Sequence, residues 1–140
     1  MNIHESAEDY LESIYMLDME KGFVRSIDIA NSLGYSKPSV SVAMKQLEEN
    51  GYISRDSDRL LHLEPKGMAI AKRIYERHKT IAAILISLGV SEENADKDAC
   101  KLEHDLSDES FDCLRAFIQT HADQSDGGLR AHIQAHMTGE

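Results

Sequence analysis

The sequence predicts a mainly α-helical fold: an N-terminal winged helix-turn-helix with a two-stranded wing, followed by a second, α-helical domain. Three observations carry this. Apolar residues recur at helical spacing through most of the chain. Two short helical patterns meet at the break Gly34-Tyr35-Ser36, the sequence form of a helix-turn-helix. Directly after them, two short β-type runs flank Asp56-Ser57-Asp58-Arg59, and a hairpin in that place is a wing.

The first helix is expected over Ser6–Glu20, with Ser6 as its cap and Asp9 three residues on. Tyr10, Leu11, Ile14 and Leu17 form its apolar stripe, with Tyr15 at the edge. Asp9 and Glu12 fall on the other side, and Lys21-Gly22 ends the helix. Ser26–Leu33 forms the second helix, carrying Ile27, Ile29, Ala30 and Leu33 and stopped by Gly34. Ser36 caps the third, with Pro38 in its first turn, where a missing N–H costs little. That helix buries Val40, Ala43, Met44 and Leu47 and stops at Asn50-Gly51.

Tyr52–Arg55 and Leu60–Leu63 are the wing strands. A long helix from Pro65 to Leu88-Gly89 places Ile70, Ile74, Ile81, Leu85 and Leu88 on one face and His78 on its edge. Its length, roughly 36 Å at 1.5 Å per residue, suits a connector. Ser91 caps a helix running to Leu106, with Ala95, Ala99, Leu102 and Leu106 as its apolar stripe. Ser107 caps the next, with Asp108 and Glu109 in its first turn and Phe111, Leu114, Phe117 and Ile118 buried. Asp123–Gly128 reads as a loop and Leu129–Met137 as one more short helix. The winged helix-turn-helix domain is thus expected over 1–64, and the connector with the second helical domain over 65–140.

With 140 residues, 41% of them hydrophobic, the chain can bury one compact unit or two small packed subdomains. No apolar run is long enough to span a bilayer, and Met1-Asn2-Ile3-His4-Glu5 lacks the pattern of a signal peptide. Cys100 and Cys113 form no CxxC pair. A cytoplasmic protein with reduced thiols is expected. The net charge of −10 is uneven: −5 over residues 1–24, +3 over 25–79 and −8 over 80–140. Only the middle segment is suited to phosphate.

That segment contains the third helix, which opens Ser36-Lys37-Pro38-Ser39-Val40-Ser41. Small hydroxyls at a helix N-terminus can donate to phosphates and sit close to base edges. Ser39, Val42 and Lys45 fall away from the apolar stripe, and Val42 can touch a thymine methyl. Lys37, together with Arg55 and Arg59 of the wing, can reach phosphates. Double-stranded DNA is the expected partner of Ser36, Lys37, Pro38, Ser39, Ser41, Val42, Lys45, Arg55 and Arg59. The alternative is a protein-binding winged helix in which Ser36 and Ser39 only cap. One recognition helix reads few base pairs, so a homodimer on a palindromic operator is expected, with half-sites about 34 Å or a multiple apart.

In the second domain Cys100, Glu103 and His104 are spaced i, i+3 and i+4, on one helix face apart from the apolar stripe. A thiolate, a carboxylate and an imidazole suit a divalent transition metal better than Ca²⁺ or Mg²⁺. Singly, each candidate has an ordinary reading. Asp9 and Glu12 make a solvated acidic face, His78 a buried histidine bonded to a carbonyl, and Cys100 a small core residue. Cys113 is packing, and His132 and His136, spaced i, i+4, could bind a metal weakly.

Glu8-Asp9-Tyr10-Leu11-Glu12-Ser13-Ile14-Tyr15, Pro38-Ser39-Val40-Ser41, Arg77-His78 and Cys100-Lys101-Leu102-Glu103-His104 follow one another across nearly the whole chain. In these pieces the sequence resembles the DtxR/MntR family, the iron- and manganese-dependent transcriptional repressors of bacteria. The resemblance implies a winged helix followed by an α-helical metal-binding and dimerisation domain, in the short form without an SH3-like domain. It also implies a ligand set of Asp9, Glu12, His78, Cys100, Glu103 and His104. The implied cofactor is Mn²⁺ or Fe²⁺, one or two ions per chain, with Co²⁺ or Zn²⁺ able to substitute in vitro.

Asp9 matches the manganese branch of that family and Cys100 the iron branch, so the set is a hybrid. Ala82 stands where the iron branch has a carboxylate of an ancillary site, and Asp96 where it has a histidine. The expected function is a metal-dependent repressor of metal-uptake genes, not an enzyme, with neither membrane nor small-molecule substrate. Three alternatives compete with it. One is a redox-sensing regulator working through Cys100, which neighbouring Asp98 and Glu103 disfavour by opposing a thiolate. Another is a metal-independent winged-helix regulator. The third is a metalloenzyme, which would need an open coordination position and a general base beyond the ligands.

Overall fold

A computed structural model describes residues 5–124; the expected helix Leu129–Met137 and the pair His132 and His136 lie outside them. The elements are α1 (Glu5–Lys21), α2 (Ser26–Leu33), α3 (Lys37–Glu49), β1 (Ile53–Arg55), β2 (Leu61–Leu63), α4 (Pro65–Ser87), α5 (Glu92–Asp105) and α6 (Asp108–Gln124). The chain divides into two compact units within α4, the first ending at Arg73 and the second starting at Ile74. Among the described residues no helix is long and apolar enough to cross a membrane.

The N-terminal unit is built on one core. Leu11 and Ile14 of α1, Val24, Ile29 of α2, Val40, Met44 and Leu47 of α3 and Ile53 of β1 are all fully buried. Each such side chain contributes roughly 1.5–3 kcal/mol relative to exposure. Ser6, expected as a cap, lies inside α1, which has already begun at Glu5. Ile27 is exposed and only Ile29 and Ala30 of α2 are buried. Residues two apart on a helix point about 200° from one another, so Ile27 and Ile29 cannot share a face.

The turn of the motif is made by Gly34, whose φ of 72° is left-handed and favours glycine. Its amide donates to the Ala30 carbonyl at 2.9 Å. Ser36 then caps α3, its hydroxyl accepting from the Ser39 amide at 3.3 Å, and Pro38 occupies the first turn. β1 and β2 pair antiparallel with Ile53 opposite Leu63, Ser54 opposite His62 and Arg55 opposite Leu61. Each strand starts one residue later than expected. The wing turn is held by Asp56, one oxygen of which accepts from the amides of Asp58 at 2.8 Å and Leu60 at 3.0 Å. Its other oxygen lies 2.8 Å from His62 Nε2. Gly67 of α4 is pressed against the hairpin: a Cβ there would sit 2.2 Å from the Tyr52 carbonyl oxygen.

In the C-terminal unit Ile81 and Ala82 of α4, Ala95 and Ala99 of α5 and Phe111 of α6 form the core. The alanines let the helix backbones come close. The expected apolar stripes are only partly buried. Leu88 is exposed because α4 has already ended at Ser87. On α5 the buried row is Ala95, Ala99 and Glu103, at i, i+4 and i+8, which turns Leu102 outward. On α6 Phe111 is buried, while Leu114 is 40% and Phe117 59% exposed. α6 also continues through Asp123 and Gln124, which were expected in a loop.

Candidate metal centre and nucleic-acid face

The metal-ligating candidates of the C-terminal unit come from two helices. α4 delivers His78, and α5, capped by the Ser91 hydroxyl at the Asn94 amide (3.3 Å), delivers Cys100, Glu103 and His104. His78 Nδ1 lies 3.0 Å from the Glu103 carboxylate and 3.7 Å from Cys100 Sγ. The other carboxylate oxygen of Glu103 is 3.3 Å from His104 Nε2. One ligand atom each from His78, Cys100 and Glu103 falls within 4.8 Å of the others. Asp96 Oδ1 is 3.6 Å from His78 Nε2. Asp9 and Glu12 lie one turn apart on α1, in the N-terminal unit.

The ligand face is therefore not separate from the core, as its spacing predicted. Glu103 is 1% exposed and belongs to the buried row of α5. Cys100, read alone as a core residue, is exposed. Burial pushes the His78 imidazole down, but its hydrogen bonds to Cys100 and Glu103, and their charge, outweigh this and hold it up at about 10. At neutral pH the ring keeps its proton, which a metal must displace. The donor set fits a first-row divalent transition ion: one imidazole, one thiol and one carboxylate already converge, with a second imidazole on the same carboxylate.

In the sequence Arg77 stands out only as the neighbour of His78. It is buried, and its guanidinium donates to the carbonyls of Glu103 at 3.2 Å and Leu106 at 2.7 Å and to the Asp108 carboxylate. A charged residue on the apolar side of a helix was the available signal.

On the N-terminal unit, Ser36, Lys37, Pro38, Ser39, Ser41, Val42, Lys45, Arg55 and Arg59 are all exposed. Val42 is 59% exposed, on the side of α3 away from Val40, Met44 and Leu47. The Ser36 hydroxyl donates to Ser39 Oγ at 2.8 Å, which leaves the Ser39 proton free to donate outward. Arg55 lies 3.7 Å from Glu48 of α3. Arg59, at the wing tip, has a φ of 64°.

Comparison with known proteins agrees with both halves. The family description "Iron dependent repressor, N-terminal DNA binding domain" matches residues 2–61, and "Iron dependent repressor, metal binding and dimerisation domain" matches residues 64–129. The transcriptional regulator MntR of Salmonella typhimurium is 38% identical over 122 residues, 87% of this chain and 78% of that protein. The HTH-type transcriptional regulator MntR of Lysinibacillus sphaericus is 36% identical over 121 residues, 86% of this chain and 87% of that one. The solved structure of the manganese regulator SloR superposes with a TM-score of 0.71 at 28% identity over 85% of this chain. Only 55% of the SloR chain is spanned. With the DNA-binding description over its first half and the metal-binding and dimerisation description over its second, the chain belongs to the iron-dependent repressor (DtxR/MntR) family of metal-dependent transcriptional regulators.

Proposed function

We propose that this chain is a repressor activated by Mn²⁺ or Fe²⁺, one or two ions per chain. In this reading it acts in the cytoplasm as a homodimer on palindromic double-stranded DNA and controls metal-uptake genes. The observation that carries the reading is the convergence of His78, Cys100 and Glu103 within 4.8 Å in a chain whose α3 presents an exposed polar face. His78, Cys100, Glu103 and His104 would hold the ion, with Asp9 and Glu12 as the further carboxylates that the family resemblance assigns. A bound divalent ion supplies the positive charge that lets these groups share one site. Cys100 favours Fe²⁺, Co²⁺ or Zn²⁺, and Asp9 leans toward Mn²⁺.

The chain's own residues do the rest. His78 yields its Nδ1 proton, and Glu103 keeps both oxygens directed at imidazoles. Ser36 orders the N-terminus of α3, Ser39 and Lys37 meet phosphate, and Val42 and Ser41 face bases. Arg55 leaves its exposed pair with Glu48 at little cost, since such pairs contribute about 0–1 kcal/mol. Leu114 and Phe117 of α6, exposed in the single chain, supply an apolar face for the second copy.

The test uses DNA selected from a random-sequence pool by metal-loaded protein. Reduced protein is then titrated onto it anaerobically with Mn²⁺, Fe²⁺, Co²⁺, Zn²⁺ or chelator. Coupling of this kind is worth about 1–3 kcal/mol, so affinity should rise roughly 5- to 150-fold with the cognate ion. Equal affinity in chelator would overturn the reading. Cys100, exposed and 3.7 Å from a protonated ring, also favours a second reading as a peroxide-responsive thiol. That reading predicts a response to peroxide in chelator, which a metal-activated repressor lacks.

A further inference from the structure

Arg77 and His78 are neighbours on α4, and both reach Glu103. His78 meets its carboxylate at 3.0 Å, while Arg77 Nη1 takes its main-chain carbonyl at 3.2 Å. The same Nη1 donates to the Leu106 carbonyl at 2.7 Å, and Nη2 to the Asp108 carboxylate at the start of α6. The guanidinium also lies over the Phe111 ring, 5.0 Å from its centroid. Arg77 is only 4% exposed. A charge this deeply buried needs partners that replace water, and here two carbonyls, a carboxylate and a ring do so.

The two carbonyls have their own deficit. Glu103 lies in the last turn of α5 and Leu106 is its C-cap, positions where carbonyls lack donors from within the helix. The positive charge also sits at the negative end of that helix's dipole. Arg77 therefore closes the end of α5 within the very turn that carries Glu103 and His104.

We infer that Arg77 is the positioning residue of the metal centre: by fixing the main chain of Glu103 it sets where the Glu103 carboxylate meets His78 and Cys100. Without it the last turn of α5 loses its closure and the carboxylate loses its register. Arg115 provides a contrast from the same neighbourhood. It pairs with Glu76 at 2.6 Å and Asp112 at 2.9 Å, and lies 5.2 Å from the centroid of the same Phe111 ring. Both of its ion-pair partners are carboxylates.

This inference rests on the metal centre proposed above, and cobalt separates the two. Reduced full-length protein is titrated anaerobically with Co²⁺ alone, without DNA, and the charge-transfer absorption of a Cys100 thiolate bound to Co²⁺ is followed. Loss of a group that supports a ligand typically costs 10- to 100-fold in metal affinity. Arg77→Met should therefore bind Co²⁺ at least about tenfold more weakly and with an altered absorption band. Arg77→Lys keeps the charge but not the planar fork, so it should fall between Arg77→Met and the parent chain. Arg115→Met should lower the melting temperature while leaving cobalt affinity and spectrum unchanged.

If Arg77→Met does not fold, Arg77→Lys decides alone. Parental affinity and spectrum in the Arg77 variants, whatever their melting temperatures, would overturn the role of Arg77. No thiolate–cobalt band in the unsubstituted protein would overturn the centre itself and the inference with it.

Discussion

Glu103 is a core residue that the proposed function also makes a ligand. At 1% exposure it is buried like the alanines a turn and two turns before it, yet its carboxylate faces His78 at 3.0 Å and His104 at 3.3 Å. A buried carboxylate without such partners is costly, and here two imidazoles stand beside it. Glu103→Gln keeps the shape and removes the charge. It should fold, and its affinity for Mn²⁺ or Co²⁺ in calorimetric titration should fall by more than the roughly 10- to 100-fold lost with an outer partner; unchanged affinity would remove Glu103 from the site. Spacing alone placed Cys100, Glu103 and His104 on one face. It could not show that Glu103 replaces Leu102 in the buried row, because the partner that satisfies it is 25 residues away on α4. Gly67 was equally unreadable, since its constraint comes from Tyr52 across the hairpin. A Cβ 2.2 Å from that carbonyl oxygen must displace main chain, so Gly67→Ala should destabilise the N-terminal unit by about 1–3 kcal/mol, seen as a lower denaturation midpoint.

At the scale of elements, those bounded by local chemistry were the readable ones. α2 and α3 are delimited by Gly34, Ser36, Pro38 and Gly51, whose preferences act within a few residues. The shape of the wing tip was hidden, because it depends on Asp56 meeting His62 across the turn. The hydrogen bond from His62 holds the Asp56 carboxyl below the usual carboxylate range, helped by the Leu60 and Asp58 amides and by the charge of His62. A carboxyl depressed in the folded state stabilises above its unfolded value, about 3.9, and that contribution is lost as pH falls through the folded value. On acidification below about pH 4, the NMR signals of the Asp58 and Leu60 amides should therefore move together with the Asp56 carboxyl. In Asp56→Asn they should stay still over the same range. Identical titration in both proteins would mean that Asp56 does not hold the turn.

The molecule as a whole must bring a chain of net charge −10 to DNA. Its positive balance is confined to residues 25–79, and a single α3 offers few base contacts. Two copies bound together would raise affinity for paired half-sites by roughly 10²- to 10⁴-fold over one copy without any new contact. The second copy needs a face, and the proposed function puts it on α6. Its stripe is expected inside, yet Leu114 is 40% and Phe117 59% exposed, and among the described residues of α6 it is Phe111 that joins the buried core. Helical period identifies an apolar stripe but not whose core it enters. The double variant Leu114→Asn, Phe117→Asn should sediment as a monomer and still bind Co²⁺ as the parent does, since neither residue belongs to the cluster of His78, Cys100 and Glu103. Its affinity for an operator with two half-sites should drop by about 10²- to 10⁴-fold, while affinity for a single half-site should barely change. A variant that stays dimeric would move the interface off α6. A monomer that grips the paired operator like the parent would show that one copy suffices.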